Sequence, residues 1–336
     1  MTLRSYVVTR ILMMIPVILL LLTLVFMIVR ILPGDPALLH FEKNVTPEVL
    51  EAFRERLGLD RPIHEQFIEY LAGIPQGNLG ISMQDYSPIS SHIVIRFPAT
   101  LELTIFSMLF AVLFGIALGI RSAKKYDTVQ DYTIRTFGIV TYAIPVFFLG
   151  MVLQFIFAIY LGWLPTGTRF SLRYTVPTKI TGLYTIDSIL TGNFEALVIS
   201  LRHLLLPSIT LGLVLCGIFI RLTRTNMLET LRMDFVVAAE ARGLSDRTVT
   251  MTYAFKNAFL PILTMIGLQF AALLAGAILT ETTFSWPGLG TYLVDRIAHR
   301  DYTAIQGTVV FFGILVSLVT LLVDILYAYL DPRIRL

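Results

Sequence analysis

Residues 103–120 read LTIFSMLFAVLFGIALGI, eighteen positions without an Asp, Glu, Lys or Arg. A helix rises about 1.5 Å per residue, so such a run matches the roughly 30 Å hydrocarbon core of a bilayer. In lipid every backbone N–H and C=O has to be satisfied within the protein, which leaves helices and closed barrels. The stretch lacks a barrel strand's alternation of polar and apolar residues, so it reads as a transmembrane helix. Five further runs free of formal charge flank it: 11–29, 136–161, 204–220, 257–280 and 302–323. The 336 residues are 56% hydrophobic and 15% charged, against roughly 25% charged in soluble domains, and the mean hydropathy is +0.76. The expectation is an all-α polytopic membrane protein with six transmembrane helices.

The first run could be a signal peptide with Arg4 and Arg10 as its basic flank. It is longer than a usual apolar region of that kind, and it exits into RILPGDP where a small-residue cleavage site should stand. It reads as an uncleaved span. Orientation follows from Lys and Arg near the helix ends. With the N-terminus inside, residues 1–10, 121–135, 221–256 and 324–336 are cytoplasmic and hold 14 of the 26 basic residues. Both termini are then cytoplasmic. The division expected is 1–30 for the N-terminus and first span, 31–98 for an extracytoplasmic segment, and 99–336 for a membrane core. That core carries a second extracytoplasmic segment, 162–202, and a cytoplasmic loop, 223–258. The net charge of +3 is mostly this orientation signal and calls for no nucleic-acid partner.

Chemistry-bearing motifs are absent. There is no G-x-x-x-x-G-K-[ST] phosphate loop and no H-E-x-x-H pair. The five histidines, His40, His64, His92, His203 and His299, have no ligand spacing, so neither a metal site nor a catalytic residue is expected. The single Cys216 falls in the fourth span and reads as packing. Glu102, Glu281 and Asp324 lie at span ends, where a carboxylate is expected to reach water or headgroups. Gln154 and Gln269 either bond between helices or line a path. Gly115 with Gly119, and Ala272 with Gly276, are small-x-x-x-small pairs that let helix backbones approach closely. Pro145 and Pro207 remove a backbone donor in or near spans and favour kinks.

The loop between the fourth and fifth spans contains VVAAEARGLSDRTVTMTYAFKNAFLP, residues 236–261. From Asn226, apolar residues recur at three- and four-residue steps through Leu228, Leu231, Phe235 and Ala238/Ala239, predicting a helix. Arg242 closes its last turn, Gly243 is a left-handed stop, and Ser245 can cap a second helix from Asp246. A mere connector needs no such structure; a docking element does.

At these residues the chain resembles the membrane subunits of ABC importers, whose E-A-A-x-x-x-G loop places a coupling helix in a cleft of the ATPase. Ala238, Ala239 and Gly243 match, while Val237 stands where the glutamate would be and Pro261 comes later than the general pattern has it. Both departures resemble the peptide-transporter branch, as do AEARGLS and FKNAFLP. LPGDP (32–36), LGLDRPIHEQFIEYL (57–71), GNLGIS (77–82), PATLELT (98–104), TETTFSWPGLG (280–290), RDYTAIQG (300–307) and the DPRIR tail extend the resemblance over nearly the whole chain. It is to the first of the paired permeases of dipeptide/oligopeptide/nickel importers.

That resemblance implies a type I-like importer fold with a cytoplasmic coupling helix between helices 4 and 5. It assigns ATPase coupling to Ala238, Ala239, Arg242, Gly243, Leu244 and Ser245. The implied partners are a second homologous permease, two ABC ATPases that hold ATP and Mg, an extracytoplasmic binding protein and membrane lipids. The setting implied is the inner membrane of a prokaryote, and the cargo di- or oligopeptides. Nickel or glutathione cargo stays open within the family. Outside it stand a self-sufficient secondary transporter, which would show an inverted repeat or mid-span charges, and a membrane-embedded enzyme, which would need a catalytic constellation.

Overall fold

The computed structural model describes residues 3–31, 46–56 and 60–330, and these are almost wholly helical. The motif LPGDP and the tail DPRIR lie outside the described residues. Among the described residues, five helices are long and apolar enough to cross a membrane, within Ser5–Arg30, Ile89–Lys124, Phe194–Leu231, Asp246–Gly276 and Tyr302–Leu326. A sixth crossing requires a bent pair, Val129–Ala143 with Val146–Tyr160, which meet at 103°. The run 136–161 is therefore not one straight span. Ile144, ahead of Pro145, is held extended at φ −76° and ψ 128°, because the proline ring excludes the helical region for the residue before it.

We number the helices α1 (Leu3–Ile31), α2 (Pro47–Arg56), α3 (Ile63–Gly73), α4 (Ile89–Lys124), α5 (Val129–Ala143), α6 (Val146–Tyr160) and α7 (Tyr184–Leu190). They continue with α8 (Phe194–Leu231), α9 (Asp234–Ala241), α10 (Asp246–Gly276), α11 (Ile278–Thr283), α12 (Leu289–Ala298) and α13 (Tyr302–Leu330). Helix α4 begins inside the segment expected to be extracytoplasmic, and α8 does the same for the second one. Their 36 and 38 residues make rods of about 54–57 Å, longer than the hydrocarbon core.

The α4–α8 pair is the spine, and glycine sets its spacing. A Cβ at Gly115 would sit 2.5 Å from the Phe219 Cβ, and one at Gly119 would sit 2.5 Å from the Thr223 Cβ. Around this contact Leu103, Met108, Ala111, Leu204, Leu211, Leu215, Phe219, Ile262 and Trp286 form the largest apolar core. Cys216 is buried there without a disulfide. The second small pair behaves differently. Ala272 is exposed, and a Cβ at Gly276 would meet nothing within 4 Å, so this pair makes no close backbone approach inside the chain.

Helix α1 lies at the edge, holding on through Leu22 and Val25 against Val310 of α13, and through Phe26 against the Phe67 and Tyr70 rings of α3. Its Leu12, Met13, Leu20 and Ile28 stay exposed, as apolar surface does when lipid is the solvent. Arg10 reaches Asp324 at 3.4 Å and pins the two helices at one end.

Candidate functional site

Helix α8 stops at Leu231 and does not run on into the alanine stretch, contrary to the single helix expected from Asn226. Met233 turns extended, at φ −76° and ψ 146°, and α9 starts at Asp234. A carboxylate in that first turn suits the positive helix N-terminus. Val236 and Ala239, three apart on one face, are buried at 0% and 1% against Ala123, Met227, Val249, Ala254 and Ala258. Phe235, Val237, Ala238 and Ala241 face outward. The two alanines thus divide: Ala238 belongs to the free face, whereas Ala239 fills the chain's own core. No sequence signal separates them, because each sits in the same apolar run.

The turn after α9 has the expected geometry. Gly243 adopts φ +76°, a left-handed conformation costly for residues with a Cβ, and donates its N–H to the Glu240 carbonyl at 2.8 Å. Arg242, Leu244 and Ser245 are exposed. The Ser245 Oγ accepts from the Thr248 N–H at 3.3 Å, capping α10. Asp246 forms an ion pair with Lys124 at the end of α4. Beneath the turn, Asp131 is fully buried and receives Arg224 Nε and Nη2 at 2.7 Å each and the Ser122 Oγ at 2.5 Å. This bidentate pair joins α4, α5 and α8 into one block under α9.

The opposite end carries a second set of buried polar brackets. Glu102 lies only twenty residues before Ser122 on α4, but that is about 30 Å along the helix axis. The Glu102 carboxylate receives Arg169 at 2.8 and 3.0 Å and the Thr185 N–H and Oγ1 at 2.8 and 2.7 Å. Arg169 also donates to the Gly182 carbonyl at 2.7 Å and lies 3.8 Å above the Tyr184 ring. Glu281 accepts from the Thr100 Oγ1 at 2.6 Å and the Thr291 N–H at 3.0 Å. Asp301 accepts from the Ser82 Oγ at 2.5 Å and the Met83 N–H at 3.1 Å, while Arg296 pairs with Asp85 at 3.1 Å.

These contacts overturn the expectation that the span-end acids reach water. Glu102 and Glu281 are 2% and 0% exposed, because the 169–185 segment folds over the first and supplies its donors, while α4 and the start of α12 supply those of the second. Asp324, partly exposed beside Arg10, fits the expectation better. Gln154 proves structural too, donating to the carbonyls of Thr166 and Thr283 at 2.6 and 3.1 Å. Gln269 contacts the Met265 sulfur at 3.7 Å.

Burial pushes the Glu281 carboxyl up to about 7, against donors that favour its charged form. The folded chain then keeps a proton that the unfolded chain releases near 4.5, the ordinary value. This contribution is complete below that value and is lost as pH rises to about 7, on the order of 3 kcal/mol. Thermal denaturation in detergent should show stability falling from pH 5 to 7, and Glu281→Gln should flatten that slope. A slope unchanged by the substitution would assign the pH dependence elsewhere.

Residues 111–336 match the family described as "Binding-protein-dependent transport system inner membrane component", and residues 3–104 match its N-terminal companion. The chain is 40% identical over 332 residues, 98% of each chain, to the di/tripeptide transport system permease protein DppB of Pseudomonas aeruginosa. It is 39% identical over 315 residues, 93% of each chain, to the dipeptide transport system permease protein DppB of Escherichia coli K12. The glutathione transport system permease protein GsiC of Salmonella typhi is also 39% identical, over 98% of this chain and 99% of its own length.

Proposed function

Since the chain belongs to the family of binding-protein-dependent transport system inner membrane components, a multi-pass permease subunit of an ABC importer without catalysis of its own, we propose that its cargo is di- and oligopeptides. The observation that carries this reading is the full-length similarity to permeases named for di- and tripeptides. Glutathione, itself a tripeptide, is the second reading, favoured by the relative of equal identity.

The chain pairs with a second homologous permease, and the path runs between them. An extracytoplasmic binding protein delivers peptide to the end bracketed by Glu102, Glu281 and Asp301. Two ATPases, which hold ATP and Mg, engage the free face of α9 and the turn at Gly243. The Asp131–Arg224 block under α9 supports this coupling role, since it passes a displacement to α4, α5 and α8 together. The basic residues 121, 124, 125, 135, 221 and 224 surround that end, which supports placing it, with both termini, in the cytoplasm.

Two measurements test the reading. In proteoliposomes holding both permeases, the ATPases and the binding protein, labelled dipeptide uptake should require ATP and be outcompeted by tripeptides. Uptake driven by an ion gradient with the ATPases left out would instead mark a secondary transporter, and preferential competition by glutathione would change the cargo. For orientation, a cysteine at Lys179 should react with an impermeant maleimide on intact spheroplasts, and one at Lys125 should not. The reverse pattern would move α9 to the outside.

A further inference from the structure

We infer that the cleft between α5 and α8 is a binding site for an anionic phospholipid, with its phosphate held by Arg135 and Arg221. The cleft has a volume of about 340 Å³. Its origin is a glycine crossing: Gly138 and Gly217 meet backbone to backbone, and a Cβ at Gly217 would collide with the Gly138 carbonyl. Where the helices touch through glycine, no side chains fill the space beside the contact.

The two helices run in opposite directions, so Arg135, one turn before Gly138, and Arg221, one turn after Gly217, arrive at the same mouth with Arg224. Arg224 is committed to Asp131 at 2.7 Å. Arg135 and Arg221 are exposed, and neither has a carboxylate partner among the described residues. Two guanidinium charges are thus left over at the membrane end of a cleft whose remaining wall includes Ile139, Tyr142 and Ile218. The rim continues as apolar surface, with Phe137, Ile139, Val140 and Tyr142 all at least 40% exposed. A charged mouth above an apolar slot matches one ligand shape, a phosphodiester with acyl chains attached. Guanidinium forks take phosphate oxygens in pairs, and basic pockets between transmembrane helices hold anionic headgroups. The inference rests on the cleft itself and holds whichever side of the membrane this end faces.

The test uses the full-length chain purified in neutral detergent, with lipid retention read by native mass spectrometry and protection read by thermal denaturation. Dioleoylphosphatidylglycerol should bind and raise the midpoint, and dioleoylphosphatidylcholine should not. Each basic side chain at an anionic surface contributes about fivefold, so Arg135→Gln/Arg221→Gln should weaken phosphatidylglycerol binding roughly 25-fold. Arg135→Lys/Arg221→Lys, which keeps the charges, should retain most of it. Arg202→Gln, toward the other end of α8, should change nothing, and all variants should match the parent by gel filtration. Equal retention by the double glutamine variant and the parent would overturn the site. Protection by glycerol phosphate as strong as by the whole lipid would make it a free-phosphate site. Cross-links from Ile139 to the second permease in native membranes would show that a subunit covers it.

Discussion

Glu102→Ala should be among the most damaging single substitutions in this chain, lowering stability by about 3–5 kcal/mol. The loss comes less from the ion pair than from what remains. Arg169 is 6% exposed, and without the carboxylate its guanidinium stays buried with the Gly182 carbonyl and the Tyr184 ring for company. The Thr185 N–H and hydroxyl lose their acceptor in the same step. Taking both charges out should then cost much less than taking one. A double variant, Glu102→Gln/Arg169→Met, keeps the volumes and removes the orphaned charge, so it should recover a large part of the stability. Thermal denaturation of the parent, Glu102→Gln, Arg169→Met and the double variant in one detergent closes the cycle. If Glu102→Ala is as stable as the parent, or the double variant is worse than either single, the bracket contributes nothing as a pair. Uptake should follow stability here, since residues 169–185 pack onto α4 at the end opposite α9.

What the sequence made legible and what it hid divide along a physical line. The spans were readable because hydropathy is summed over neighbours. The stop at Gly243 and the cap at Ser245 were readable because each acts within four residues, and both take the expected geometry. Pro145 announced a break but not its size: the 103° bend needs α6 to pack elsewhere, as Gly150 does beside Phe284 and Thr210. The buried acids were hidden for the same reason. Glu102 finds Arg169 67 residues away, and Glu281 finds Thr100 181 residues away, so position at a span end gave no hint of burial. Asp131 was hidden in the same way, since Arg224 lies 93 residues away and no local pattern marks the pair. Ala272 and Gly276 illustrate the converse, a pattern for close packing that meets no neighbour inside this chain.

The free face of α9 yields the sharpest functional contrast, because adjacent alanines should respond differently. Ala238→Trp adds a bulky ring to an exposed position, so the purified permease should keep its stability to within about 0.5 kcal/mol. If that face seats in an ATPase, overfilling the contact costs about 1–3 kcal/mol, and substrate-stimulated ATP hydrolysis and uptake should fall roughly 10- to 100-fold. Ala239→Trp instead forces a ring into the cluster of Met227, Val249 and Ala258 and should lower the midpoint before any partner is added. Gly243→Val completes the set: nothing lies within 4 Å of a Cβ there, so its cost is conformational, about 1–2 kcal/mol from φ +76°. That strain should re-aim the turn and impair coupling, while binding of peptide to the extracytoplasmic partner persists. A permease carrying Ala238→Trp that still couples at the parent's rate would leave α9 a surface helix. An Ala239→Trp chain as stable as the parent would mean that this alanine faces outward after all.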